Sequence, residues 1–246
     1  GENSRPHISL VMNFTRPTES TPALLTYDEV ETFLHEFGHA LHGLMANSRY
    51  ESLSGTNVYR DFVELPSQLM ENWLPEQEFL ETFAHHHLTG EVLPDSLIQK
   101  IRNTQRYHVG YHCVRQLTFG MLDMAWHTQT EKIEDITAFE QNAISPTQLL
   151  PVIDGTLISS QFSHVFGGGY AAGYYGYKWA EVLDADAFSL FKENGIFDKK
   201  TAEAFRKNIL EKGDTEEPMT LYVRFRNLTD GRVDHIHQVG GPSGLR

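Results

Sequence analysis

A mainly α-helical chain opened by one short strand is what the sequence predicts, and three observations predict it. Apolar residues recur at spacings of three and four through most of the 246 residues, the period of amphipathic helices. Pro, Gly and Asp break these stretches where helices end. Only "HISLVMNF", residues 7–14, reads as a strand, and it can serve either as an edge that pairs with an extended peptide or as plain framework. In the first helical stretch Phe33, Phe37, Ala40, Leu41, Leu44 and Met45 make one apolar stripe. A second helix is expected over Tyr59–Trp73, with Phe62, Leu65 and Leu69 as its apolar side, Asp61 as a possible N-cap, and Pro66 in the first turn or at a kink. Further stretches follow around 76–90, 95–130, 135–143, 146–162, 170–193 and 199–212. No repeat, low-complexity linker or internal boundary interrupts them, so the expectation is one domain around one core.

His35, Glu36 and His39 lie off the apolar stripe of the first helix. Polar groups on an apolar helix cost stability unless a partner satisfies them. Residues four apart are neighbours one turn apart, so the two imidazoles can grip one ion. Glu36, between them, can reach a water beside that ion without ligating it. This is the H-E-x-x-H arrangement of zinc peptidases, with Phe37 and Gly38 at the free positions. His42 shares the face but sits about 10.5 Å along the axis from His35, too far for one ion to bind all three at metal–nitrogen distances of about 2 Å.

A zinc enzyme needs three protein ligands and one open position. The motif H-E-x-x-H-x-x-G-x-x-H would require Gly and His where this chain has His42 and Met45, so the third ligand is sought elsewhere. Glu64 and Glu71 of the second helix are the candidates, and Glu64 is preferred. Asp61 and Glu71 fall near the same face and can orient a ligating histidine; an N-cap role for Asp61 and a solvated or salt-bridged carboxylate for Glu71 are equally compatible with the sequence.

Tyr170, Tyr174 and Tyr177 follow three glycines at i, i+4 and i+7, so a helix would present all three on one face. Phenols are neutral donors at pH 7, suited to an oxyanion, whereas the bland alternative is an aromatic face packed in a core. The net charge of −13 disfavours nucleic acid or an anionic membrane as partner. No apolar run matches a membrane span or a signal peptide. The single cysteine, Cys113, excludes an intramolecular disulfide framework and fits a reducing compartment as a small buried residue. His85, His86 and His87 lack a ligand spacing and read as a solvated face. Asn13 and Asn227 open glycosylation-like triplets without any sign of secretion.

The segments "HEFGHALH", "SGTNVYRDFVELPSQLMENW", "FSHVFGGGYAAGYYGYKWAEVLDADAF" and "EEPMTLYVRFR" resemble the thimet oligopeptidase family of zinc metallopeptidases, which includes oligopeptidase A and the bacterial peptidyl-dipeptidases. The resemblance covers nearly the whole chain. It implies a zincin-like, gluzincin-type helical catalytic domain holding one zinc on His35, His39 and Glu64, with Glu36 as general base. It also points to Tyr170 and Tyr177 as oxyanion donors, with His164 lining the site and Tyr174 a weaker candidate. Residues 1–246 are then expected to form the C-terminal catalytic part of a longer metallopeptidase, placed in the cytoplasm by the single cysteine, with the periplasm as alternative. The missing N-terminal part of the same protein is its partner and supplies the opposite wall of a channel for short peptides. Release of C-terminal dipeptides is the expected activity, with internal cleavage in the manner of oligopeptidase A, or zinc-stabilised peptide binding without cleavage, as alternatives. An arginine is expected to hold a free C-terminal carboxylate, with Arg49, Arg60 and Arg115 as candidates.

Overall fold

Residues 4–227 are described in a computed structural model. Helix α1 spans Tyr27–Met45 and begins with a capping box, in which Thr26 accepts from the Glu29 amide while the Glu29 carboxylate accepts from the Thr26 amide. The Thr-x-x-Glu signal for this start stands in the sequence. Short α2 (Arg60–Val63) and α3 (Leu65–Glu71) follow, separated at Glu64. Pro66 thus sits in the first turn of α3, where its missing N–H costs nothing. Tyr59, not Asp61, is the N-cap of α2, and no side chain caps it; Asp61 lies inside the first turn.

After α4 (Gln77–Leu80) come α5 (Asp95–Thr104), α6 (Val109–His127), α7 (Ile136–Ile144), α8 (Ser163–Phe166), α9 (Tyr175–Asn194), α10 (Lys199–Phe205), a π-helical turn (Arg206–Leu210) and α11 (Pro218–Arg226). The 76–90 stretch keeps only the four residues of α4 as helix, and 95–130 is divided at His108, whose φ of 55° ends the helical path. The 146–162 stretch forms no α-helix; Pro146, Pro151 and Gly155 keep it in turns.

Residues 7–14 do not form the expected strand. This part of the chain is tied to α1 instead: Arg5 donates to the Leu44 and Ala46 carbonyls, the Ile8 side chain lies over Gly43, and Thr15 binds the Glu29 carboxylate. A helix keeps its backbone hydrogen bonds to itself, so the segment meets no ladder there.

The chain divides into two compact units, one containing residues 4–98 and 180–227 of the described chain, the other Gln99–Trp179. The sequence shows no boundary because the chain crosses between them inside α5 and α9, without any turn signal. In the first unit Leu34, Leu74, Leu80 and Ile98 form one cluster, and Trp73 packs edge-on against Phe188 and Phe191. In the second, Leu122, Ile144, Phe162, Val165 and Tyr174 are the core. No described helix is long and apolar enough to cross a membrane.

Candidate functional site

The side of α1 that is buried differs from the apolar stripe read in the sequence. Leu34, Gly38, Ala40 and His42 are buried, while Phe33, Leu44 and Met45 are exposed. Gly38 is the reason. A Cβ there would stand 2.4 Å from the Pro66 carbonyl oxygen and 2.5 Å from Ser67 Cα, so the missing side chain lets the backbones of α1 and α3 approach. That approach delivers Glu64 to the histidines.

His35 Nε2 and His39 Nε2 lie 3.3 and 3.1 Å from Glu64 Oε2. These three residues offer ligand atoms that all fall within 4.8 Å of one another. Atoms at about 2.0–2.1 Å from a tetrahedral centre stand about 3.3 Å apart, so the two separations from Glu64 fit one zinc ion. Glu64 is almost wholly buried, and Ser67 Oγ donates to its Oε2 at 2.8 Å and to its backbone carbonyl at 2.9 Å. The other nitrogen of His35, Nδ1, meets Glu71 Oε1 at 2.6 Å. Of the two carboxylates proposed to orient a histidine, Glu71 is thus seen on a ligand-type imidazole. His39 Nδ1 is buried and meets no hydrogen-bond partner among the described residues. Glu36 projects from the same helix and is half-buried.

The local field favours a cation. Burial by itself would lower the His35 pKa, but its hydrogen bonds to Glu64 and Glu71, and their charges, push it up to about 10. Burial, then the charges of Glu71 and Asp28, push Glu31 up to about 7, and burial with the same acidic neighbourhood raises the Tyr27 phenol. His42 behaves oppositely: it is fully buried, neither ring nitrogen has a partner, and burial, with His39 nearby, lowers it to about 4. It belongs to the packing, not to the ligand set.

The second unit holds the aromatic cluster. Tyr170 and Tyr174 precede α9, so no continuous helix aligns the three tyrosines. They nevertheless meet: Tyr170 stacks on Tyr177 at 5.0 Å, Tyr174 lies 5.1 Å from Tyr177, and the His164 ring is 5.9–6.4 Å from all three. A tight turn does this instead. A Cβ at Gly168 would sit 2.9 Å from the His164 carbonyl oxygen, Gly169 has φ 84°, and the Tyr170 amide donates to that same carbonyl at 3.0 Å. Tyr174 is buried among Phe119 and Phe162, and burial raises its pKa, so for this residue the packing role is the observed one. Tyr170 and Tyr177 are half-buried, and His164 and Tyr175 are exposed.

Sequence reasoning assigned no role to Ser67 or Asp123 and took Gly38 only as a free position of the H-E-x-x-H motif. Asp123 is fully buried in α6 and accepts from the Ala172 and Tyr174 amides, each at 2.9 Å. A glycine inside a helix, and an acid within the apolar run around Leu122, were the available signals. Of the candidate arginines, Arg49 lies over Tyr50 at 5.6 Å and Arg115 over Phe119 at 4.8 Å.

The profile of peptidase family M3 matches residues 2–230. Among similar proteins, the dipeptidyl carboxypeptidase of Escherichia coli (strain K12) is 42% identical over 226 residues, 91% of this chain and 33% of its own length. Oligopeptidase A of the same organism is 44% identical over 244 residues, 96% of this chain and 35% of its own. A thimet-like oligopeptidase of Dictyostelium discoideum is 35% identical over 243 residues, 98% of this chain and 36% of its own. The chain thus spans about a third of the length of these relatives.

Proposed function

We propose, from the premise that this chain belongs to peptidase family M3, that it is the catalytic, zinc-binding part of a longer metallopeptidase that hydrolyses short peptides. The observation that carries this is the convergence of His35, His39 and Glu64, with Glu71 behind His35. One zinc, held by His35, His39 and Glu64, would supply a Lewis acid and lower the pKa of water to about 7. Glu71 fixes the His35 ring so that Nε2 faces inward, and Ser67 fixes Glu64. Glu36 accepts the proton of the attacking water and returns it to the leaving amine. For the oxyanion, the family resemblance points to Tyr170 and Tyr177 as hydrogen-bond donors, with His164 beside them.

In this reading the enzyme releases dipeptides from peptide C-termini. Internal cleavage is the second reading, favoured by the 44% identity to oligopeptidase A. Products from one peptide with a free C-terminus and one with a blocked C-terminus separate the two, since only the first mode needs the free carboxylate. The N-terminal part of the same protein is the expected partner, the net charge of −13 supports neither nucleic acid nor anionic membrane as another, and the single cysteine supports action in the cytoplasm.

Glu36→Gln tests the chemistry: it keeps one zinc per chain and loses hydrolysis, because the amide accepts no proton. Turnover at the wild-type rate would remove Glu36 from the mechanism.

A further inference from the structure

We propose that Asp123 is a positioning residue that sets Tyr170 in place for the reaction, an inference that rests on the reading of Tyr170 as an oxyanion donor. Asp123 is fully buried, and its carboxylate meets backbone amides of the turn that follows Tyr170. Its Oδ1 accepts from the Ala172 amide at 2.9 Å and its Oδ2 from the Tyr174 amide at 2.9 Å, while His127 Nδ1 lies 2.8 Å from Oδ1. The two backbone contacts are donors only, so a carboxylate suits the place and an amide would turn its NH2 toward one of them.

The turn so held does not stand alone. Ala172 has φ 53°, a left-handed conformation that any residue bearing a Cβ adopts at a cost. The same turn closes on Tyr170, whose carbonyl accepts from the Gly173 amide at 2.8 Å. Tyr170 is then stacked on Tyr177. Asp123 therefore holds, from α6, the one left-handed residue between the two tyrosine positions, and the location of the Tyr170 hydroxyl depends on it.

The test is a double-mutant cycle of Asp123→Asn and Tyr170→Phe in the full-length zinc-loaded peptidase. Tyr170→Phe should lower kcat by about 10²-fold or more. Asp123→Asn should lower kcat by about 10–100-fold, with KM changed by less than about threefold and zinc content unchanged. In the Tyr170→Phe background, Asp123→Asn should cost less than about a further threefold, because the group it positions is gone. Unchanged kcat in Asp123→Asn beside an impaired Tyr170→Phe would overturn the positioning role alone, and so would two losses that multiply in full. Tyr170→Phe at the wild-type rate would overturn the oxyanion reading and this inference with it. If Asp123→Asn does not fold, Ala172→Gly added to it lowers the cost of the left-handed turn, and the same cycle is run in that background.

Discussion

Gly38→Ala separates two physical effects of opposite sign. Alanine is the better helix former by about 1 kcal/mol, so on propensity alone the change should stabilise α1. Packing says the reverse. The new methyl would stand 2.4 Å from the Pro66 carbonyl oxygen, 2.5 Å from Ser67 Cα and 2.8 Å from the Pro66 carbonyl carbon, all backbone atoms that no rotamer change can move. Ordinary contact begins near 3.4 Å, so α3 must retreat by about 1 Å, the difference between 3.4 and 2.4. Overpacking of this kind costs about 1–3 kcal/mol, or more, which cancels or exceeds the gain from propensity. Glu64 precedes α3 directly, and the retreat would carry it from its 3.1 and 3.3 Å approaches to the two histidines. Metal sites tolerate errors of only about 0.2 Å in ligand distance, so zinc affinity should fall at least about tenfold. Zinc titration against a competing chelator measures the affinity, and denaturant unfolding of the metal-free protein measures stability. A Gly38→Ala protein that is more stable than wild type and binds zinc equally well would refute the claim that close helix approach builds this site.

Glu71→Gln should weaken zinc binding by about 10–100-fold, the usual effect of losing a carboxylate behind a ligating histidine; chelator competition reads it, and unchanged affinity would make the 2.6 Å contact incidental. Without metal, the His35 pKa is raised from 6.5 to about 10, so its bound proton stabilises the folded state fully below about pH 6.5 and ceases to as pH rises through about 10. Zinc loading near pH 8 must expel that proton, and calorimetry in buffers of different ionisation heat should show about one proton released that Glu71→Gln reduces; no release would contradict the protonated state. Tyr177→Phe should lower kcat by about 10²–10³ with little change in KM, while the exposed Tyr175→Phe changes little; small, equal effects at both would make the cluster packing only.

Whatever depends on spacing within one element was legible before any folding. His35 and His39 share a face because an α-helix returns after four residues, and the same rise excluded His42, which the structure buries without a partner. The helical class was legible from apolar periodicity, and the need for a third ligand pointed to Glu64 and Glu71, with Glu64 preferred. Tertiary structure decided the rest. Which of Glu64 and Glu71 faces Nε2 and which faces Nδ1 was settled by the break before Pro66 and by the approach at Gly38. The buried side of α1 runs through Leu34 and Gly38 because contact follows the smallest side chain, not the longest apolar stripe. The segment at 7–14 formed no strand because a ladder needs a second backbone. Tyr170, Tyr174 and Tyr177 came together through a turn held by Asp123, about 50 residues earlier, where a helix had been expected. Local backbone geometry limits where residues a few places apart can be; contacts between distant segments depend on how closely whole elements pack, and no spacing in the sequence records that.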